Sequence, residues 1–152
     1  MLIEGKFTMK APIQKVWDFL LEPGTLASCI PGAEKMEAVD DTTWEGTVKQ
    51  RVGPISVKLN FTQTLSDVQP PKHLKAVGRG SAMGGAGTFT QETIVDLKEL
   101  DKDEVEVAYR STVSIVGRLA TFGERIMRAK VNKVGKEFTD NLQAKLKSQL
   151  GG

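Results

Sequence analysis

The sequence predicts one α+β domain over residues 1–150: a curved seven-stranded antiparallel sheet wrapped around a long C-terminal helix, with two short helices after the first strand. Two observations predict this fold class. Apolar and polar residues alternate with a period of two through most of residues 2–116, as in strands that have one buried and one solvated face. Residues 117–150 carry instead one uninterrupted helical pattern. The 152 residues are enough to bury one core.

The first strand and the short helices occupy the beginning of the chain. Residues 2–10 alternate between apolar and polar side chains, which predicts a strand. Pro12 then opens a helix, because the missing N–H of proline costs nothing in the first helical turn. Apolar residues from Ile13 to Leu21 recur at helical spacing, so this helix buries one face. A second helical segment is predicted over about Thr25 to Cys29.

Six more strands are predicted, over about residues 35–39, 44–52, 55–65, 73–79, 87–98 and 104–115. Gly53 and Pro54 join two of them, and so short a link permits only antiparallel pairing. The glycine-rich segment 80–87 joins another pair. We interpret it as a mobile hairpin at the mouth of a pocket, with Met83 as an adaptable apolar tip. A phosphate-binding loop would end in Gly-Lys-Ser/Thr and open a helix, and this segment leads into a strand.

The final helix, about 34 residues, would be roughly 50 Å long at 1.5 Å per residue. One apolar stripe on it is predicted to lie against the sheet, and a second apolar group sits about a third of a turn away. The stripe is Met127, Val131, Val134, Phe138 and Leu142, and the second group is Leu119, Phe122 and Ile126.

Composition excludes several classes of protein. The net charge of +2 and the lack of an aromatic-basic RNA motif argue against a nucleic-acid partner. No apolar run reaches the roughly 18 residues of a membrane span, and the N-terminus alternates like a strand instead of resembling a signal peptide. We therefore expect a cytoplasmic protein. Cys29 and His73 are the sole residues of their types, so neither a disulfide nor a His/Cys metal site is expected. We expect no cofactor.

Basic charge is concentrated in the last helix. From Arg118 onward there are eight Lys and Arg against three Asp and Glu, a net charge of +5, which leaves −3 for residues 1–117. Two interpretations stay open: a solvated helix face, or docking to anionic lipid or an acidic protein surface. The basic stripe consists of Arg118, Arg125, Arg128, Lys136 and Lys147.

Several short motifs resemble those of the CoxG family of carbon monoxide dehydrogenase subunits, within the START and Bet v 1-like superfamily. They are Val16-Trp17, Cys29-Ile30-Pro31-Gly32, Val52-Gly53-Pro54-Ile55, the segment 78–87 and Gly117-Arg118-Leu119-Ala120. The resemblance implies a helix-grip fold with an internal pocket. It also implies a link to a molybdenum hydroxylase such as carbon monoxide dehydrogenase, and peripheral attachment of that enzyme to the inner face of the cell membrane.

A pocket between sheet and helix would be lined by residues from the inward strand faces and the adjoining helices. The candidates are Trp17, Leu26, Ile30, Trp44, Val57, Leu59, Phe61, Phe89, Gln91, Val107, Tyr109, Phe122, Ile126 and Val134. Each could instead be ordinary core. Alternation also turns inward a set of polar residues that need hydrogen-bond partners: one another, water or a ligand. These are Gln50, Gln63, Gln91, Thr93 and Ser111.

Catalytic residues are not evident. His73 lacks an acidic partner in the sequence and is interpreted as an exposed histidine, and Cys29 as a small apolar filler. Two functions remain. The first is a non-enzymatic carrier or adaptor that holds a quinone or lipid. The second is an enzyme of the polyketide cyclase or dehydratase type, in which Tyr109, Gln91 or His73 would supply the acid-base chemistry.

Overall fold

The computed structural model describes residues 1–22, 29–85 and 87–150. It contains the seven predicted strands, arranged in one antiparallel sheet in the order β1-β7-β6-β5-β4-β3-β2. The strands are β1 (Leu2–Met9), β2 (Ala33–Ala38), β3 (Thr43–Val52), β4 (Ile55–Gln69), β5 (His73–Ala82), β6 (Thr88–Asp101) and β7 (Glu104–Val116).

Strands that follow one another in the sequence pair as antiparallel neighbours, except for β1 and β2. β1 pairs with β7, and the register sets Gly5 opposite Tyr109. The glycine-rich hairpin is shorter than predicted, because β5 continues to Ala82 and pairs with β4 as far as Leu59. Met83 stands at the tip with 56% of its surface exposed.

The first helix, α1, spans Ile13–Leu21 and buries Val16 and Trp17. Pro12 directly precedes it, and the Pro12 carbonyl accepts hydrogen bonds from the N–H groups of Lys15 and Val16. Most of the second short helix, predicted over about Thr25 to Cys29, lies outside the described residues.

The helical pattern predicted one uninterrupted C-terminal helix from Gly117, and this prediction is wrong. A 3₁₀ helix covers Arg118–Phe122, and the α-helix, α2, covers Glu124–Leu150. Gly123 separates them with a φ of +90°, a conformation that glycine adopts without steric cost. The break turns Leu119 and Phe122 towards the sheet, whereas Ile126 is left 48% exposed.

The described buried residues form two apolar clusters at opposite ends of the molecule. The first joins α1 and the end of α2, through Trp17 and Leu142, to Val105 in β7. The second joins Leu119 and Met127 to Val57 in β4. Because α2 contributes to both, the helix is held against the sheet near each of its ends.

Candidate ligand-binding interior

The middle of the concave sheet face belongs to neither apolar cluster. Here most inward side chains are half-buried, although they face the inside of the fold, whereas Gly78 and Ser111 are buried. On α2, Val131 and Val134 are likewise half-buried, between Met127 in the second cluster and Leu142 in the first. This half-burial indicates that side chains do not fill the region between sheet and helix, and we call that region the hollow. Its lining is Phe61, Gln63, Gly78, Phe89, Gln91, Tyr109, Val131 and Val134.

Glycines on the concave face let aromatic rings lie flat against the sheet. A Cβ added at Gly80 would overlap the ring of Phe89, which stands opposite it on β6. At Gly5 an added Cβ would come within 2.7 Å of the Tyr109 hydroxyl. The rings thus cover backbone that a side chain would otherwise cover, and they bring apolar area to the edge of the hollow.

Three polar residues cross the floor of the hollow in one chain of hydrogen bonds. Gln91 donates from Nε2 to Thr93 Oγ1 over 2.6 Å, and the Thr93 hydroxyl lies 2.9 Å from that of Ser111 on β7. Ser111 is buried, so its hydroxyl depends on this partner. Of the partners left open by the sequence for these inward polar groups, Gln91, Thr93 and Ser111 use one another.

Two other inward amides differ in their bonding. Gln50 donates to the Pro31 carbonyl at 2.6 Å and so fastens the segment after the undescribed residues to β3. The side chain of Gln63, half-buried, has no hydrogen-bond partner among the described residues. Gln63 therefore keeps a free amide at the hollow.

The described concave-face positions that border the hollow are uncharged. Charged residues of these strands alternate onto the outer face, where Lys75 pairs with Glu92 and Arg110 with Glu4. An apolar interior with a few amides and hydroxyls is the usual character of a small-molecule site. A charged group bound there would lack a counter-charge on the sheet.

The predicted lining residues divide between the clusters and the hollow. Phe61, Phe89, Gln91, Tyr109 and Val134 lie at the hollow, and Ile30 is half-buried. Trp17, Trp44 and Val107 belong to the first cluster; Val57, Leu59 and Phe122 belong to the second. Leu26 falls outside the described residues. Ile126 is 48% exposed and does not line the hollow.

Sequence reasoning missed the glycines. Gly78 and Gly80 stand on the concave face beside Gln91 and Phe89, but a residue without a side chain gives no alternation signal. Gly78 and Gly80 alternate with the exposed Arg79 in β5, and this alternation is the signal that could have assigned both glycines to the inner face.

His73 has acidic partners, contrary to the prediction. Its Nδ1 lies 2.6 Å from Asp96 Oδ1, and its Nε2 lies 3.2 Å from Asp67 Oδ2. The hydrogen bond to Asp96 is the main reason that the His73 pKa lies above its ordinary value. This cluster sits on the outer face of the sheet, away from the hollow. Cys29, by contrast, is buried in the first cluster, as a small apolar filler should be.

Two members of the predicted basic stripe are engaged within the fold. Arg128 donates to the Leu2 carbonyl and to Glu124, and the latter bond lowers the Glu124 pKa below its ordinary value. Lys136 pairs with Asp140 at 3.0 Å. Arg118 and Arg125 are exposed and form no ion pair with a described residue.

Exposed apolar residues accompany these two arginines. Met83, Val116 and Ile126 are exposed by about half or more of their surface. They belong to the end of the molecule that holds the second cluster, since Thr88 after the hairpin tip pairs with Val116. We call Arg118, Arg125, Met83, Val116 and Ile126 the basic end.

The outer face carries two open depressions of about 510 and 470 Å³. The larger is lined by exposed polar and charged side chains such as Lys35, Glu45 and Arg79, the smaller by the Glu4 and Arg110 pair. Both are open to solvent, and the smaller also presents apolar surface from Ile94, Ala108 and Tyr109. Within the described residues, no three His, Cys, Asp or Glu side chains are grouped to hold a metal ion, and no helix is long and apolar enough to cross a bilayer.

The curved antiparallel sheet and the long C-terminal helix form a helix-grip fold, which the chain shares with a START superfamily protein. The chain belongs to the CoxG family of carbon monoxide dehydrogenase subunits, whose sequence model matches residues 5–147. No curated protein sequence matches it.

Solved structures share the fold at low sequence identity. A conserved protein from Geobacillus kaustophilus is 20% identical with a TM-score of 0.89, over 97% of this chain and 96% of that one. A START superfamily protein from Mycobacterium smegmatis is 8% identical with a TM-score of 0.75, over 97% and 98%. The Zhui aromatase/cyclase from Streptomyces sp. R1128 is 13% identical with a TM-score of 0.69, over 100% and 98%. At these identities the likeness concerns the fold alone.

Proposed function

We propose that this protein is a non-enzymatic carrier that holds a neutral apolar molecule in the hollow. The observation that carries the proposal is the half-burial of side chains that face one another from α2 and the sheet, such as Phe61, Phe89 and Val134, with no charged strand residue among those described. Apolar surface left half-exposed inside a fold is stabilised when a ligand removes it from water, by roughly 25 cal/mol per Å².

We further propose that the carrier serves a membrane-associated molybdenum hydroxylase such as carbon monoxide dehydrogenase. The family name supports this partner. A quinone or lipid is the cargo that we favour, since an oxidoreductase working beside a membrane needs an acceptor that dissolves in lipid. In this role the protein is cytoplasmic and attaches reversibly to the inner face of the cell membrane.

The basic end supports attachment to a membrane or to an acidic partner. Arg118 and Arg125 offer exposed cations, and Met83 and Ile126 offer exposed apolar side chains beside them. Cations near an anionic surface contribute about 1 kcal/mol each. Arg128 and Lys136 contribute less to docking than the helical pattern predicted, because each already has a partner.

The carrier is tested by extraction of the purified protein with organic solvent, before and after incubation with membrane lipids, followed by mass spectrometry and ultraviolet absorption. We expect a stoichiometric quinone or lipid. Gly78→Leu should reduce the recovered amount at least fivefold, because its side chain would enter the hollow. Arg79→Leu, one residue further and on the outer face, is the matched control. An empty extract after lipid incubation would contradict the carrier.

A second function is favoured by one observation. Tyr109 and the Gln91–Thr93–Ser111 chain place hydroxyls and an amide at the hollow, where an enzyme of the polyketide cyclase type would need them. The two functions differ in their products. A carrier returns its ligand with unchanged mass, and Tyr109→Phe with Gln91→Leu alters affinity alone. An enzyme returns a cyclised or dehydrated product, and the same variant abolishes turnover.

A further inference from the structure

Trp44 carries a buried hydrogen-bond donor without a partner. The residue is 3% exposed, and no atom of the described residues accepts a hydrogen bond from its Nε1. An indole N–H can only donate, so it is satisfied by an acceptor or not at all. The large majority of buried polar side-chain atoms have a partner, and an exception calls for a physical reason.

Trp44 belongs to the first cluster and stands next to Gln63, at the border between that cluster and the hollow. Its neighbours on the sheet show where an acceptor could lie. Cross-strand pairing places Trp44 opposite Gln63, Gln63 opposite Gly78, and Gly78 opposite Gln91. Adjacent strands are about 4.8 Å apart, so these residues form one row across the concave face. A Cβ at Gly78 would lie 3.5 Å from Gln91 Oε1, and Gly78 itself leaves the centre of the row open.

Gln63, the nearest member of the row, also lacks a protein partner, although its amide is open to solvent, and among the described residues only Trp44 Nε1 is both buried and without a partner. Its half-buried amide has no hydrogen-bond partner among the described residues. Two adjacent polar side chains of the interior, one of them fully buried, therefore lack partners at the same place. In the rest of the described interior, Gln50, Gln91, Thr93 and Ser111 are all bonded.

We propose that the ligand of the hollow bears a neutral oxygen acceptor, as a carbonyl group provides, which accepts a hydrogen bond from Trp44 Nε1 beside the amide of Gln63. The assignment rests on the proposed carrier function and adds to it the chemistry of the polar end of the ligand. The oxygen is neutral because the described strand positions of the concave face offer no cation to a carboxylate, and burial of an unpaired charge is strongly unfavourable.

The test uses two compounds with the same ring system and a two-carbon side chain, 2-acetylnaphthalene and 2-ethylnaphthalene, of which only the first carries a carbonyl oxygen. Binding to the full chain is measured by titration, for the wild type and for Trp44→Phe. We expect Trp44→Phe to weaken the ketone about fivefold to tenfold and to change the hydrocarbon less than twofold, because phenylalanine keeps an aromatic ring but has no N–H. Trp17→Phe, in the same cluster, is the matched control and should affect the two compounds alike.

A second measurement does not depend on how the variant folds. Wild-type protein with ¹⁵N-labelled tryptophan gives two indole N–H signals. The signal that remains in the Trp17→Phe variant belongs to Trp44. The Trp44 signal should move downfield on addition of the ketone and not of the hydrocarbon. The affinity for 2-naphthoate should be at least tenfold lower than the affinity for the ketone.

The outcomes separate this assignment from the carrier function. The assignment is wrong, and the carrier function is unaffected, in either of two cases. In the first, both compounds bind and Trp44→Phe lowers their affinities equally. In the second, the Trp44 signal does not move when the ketone is added. Tight binding of 2-naphthoate overturns the neutrality of the acceptor. If neither naphthalene binds the wild type, the apolar site itself fails, and the assignment falls with it.

Discussion

The hydroxyl oxygens of Thr93 and Ser111 lie 2.9 Å apart and join β6 to β7 on the concave face. Thr93 also accepts a hydrogen bond from Gln91, so its hydroxyl satisfies one neighbour on its own strand and one on the next. The floor of the hollow is therefore a bonded polar strip. The Thr93 and Ser111 hydroxyls share one hydrogen bond, so one O–H hydrogen of the pair remains free to donate to a ligand.

Thr93→Val tests the strip, because valine keeps the shape and removes the hydroxyl. Ser111, buried, then loses its partner, and Gln91 loses its acceptor. We expect the free energy of unfolding to fall by about 1–3 kcal/mol, the cost of an unsatisfied buried group. Chemical denaturation measures it. Thr90→Val, on the outer face of the same strand, should stay within about 0.5 kcal/mol of wild type; an equal effect of both variants would show that the hydroxyl is not needed.

The strands and their faces could be predicted from the sequence, because side chains that alternate with a period of two are characteristic of strands. Alternation also turned Gln63, Gln91, Thr93 and Ser111 inward. It could not predict that Gln91, Thr93 and Ser111 bond together while Gln63 does not. That depends on the register between β6 and β7, where Thr93 meets Ser111 from 18 residues away.

Two of the predictions that failed did so for different physical reasons. The helix break at Gly123 was missed because a glycine within a helix costs only about 1 kcal/mol, which does not by itself predict a stop. The partners of His73 were missed because they come together through the sheet. Asp96 lies opposite His73 on the neighbouring strand β6, and Asp67 lies in an irregular part of β4. Neither aspartate is close to His73 in the periodic patterns of the sequence.

The His73 cluster predicts a pH dependence of stability. Because the folded-state pKa of His73 is raised, its contribution is fully present below the unfolded pKa of about 6.5 and is lost as the pH rises through the folded value. The lowered pKa of Asp67 acts in the opposite direction, and its contribution is lost in acid. The difference in unfolding free energy between wild type and His73→Gln should therefore be larger at pH 5.5 than at pH 8.5.

Asp96→Asn is the control for this dependence. It removes the carboxylate that raises the His73 pKa most, so the difference between pH 5.5 and 8.5 should shrink in that background. A difference that grows with pH would mean that the pair does not favour the protonated imidazole.

Two glycines in different settings predict opposite effects of the same substitution. Gly80→Ala places a methyl group into the ring of Phe89, so we expect a loss of about 1–3 kcal/mol from overpacking. Gly135→Ala in α2 meets no atom within 4 Å and should add about 0.5–1 kcal/mol through helix propensity. Thermal and chemical denaturation measure both. Equal effects would mean that Phe89 does not lie over Gly80.

If the basic end binds anionic vesicles, the affinity should depend on where the cations lie as well as on the net charge. Arg118→Glu with Arg125→Glu removes two exposed cations beside Met83, Val116 and Ile126. At about 1 kcal/mol per cation, we expect a loss of at least thirtyfold in affinity for phosphatidylglycerol-containing vesicles, measured by sedimentation.

The matched control is Lys98→Glu with Lys102→Glu, which changes the net charge equally at the opposite end of the β6–β7 hairpin. Both lysines are exposed. The control should keep most of the affinity, because exposed charges more than about 10 Å from the lipid are screened at 0.1 M salt. If the two double variants lose affinity equally, overall charge governs the attachment and the basic end has no special part in it. If neither loses affinity, the cations of this chain do not contact lipid.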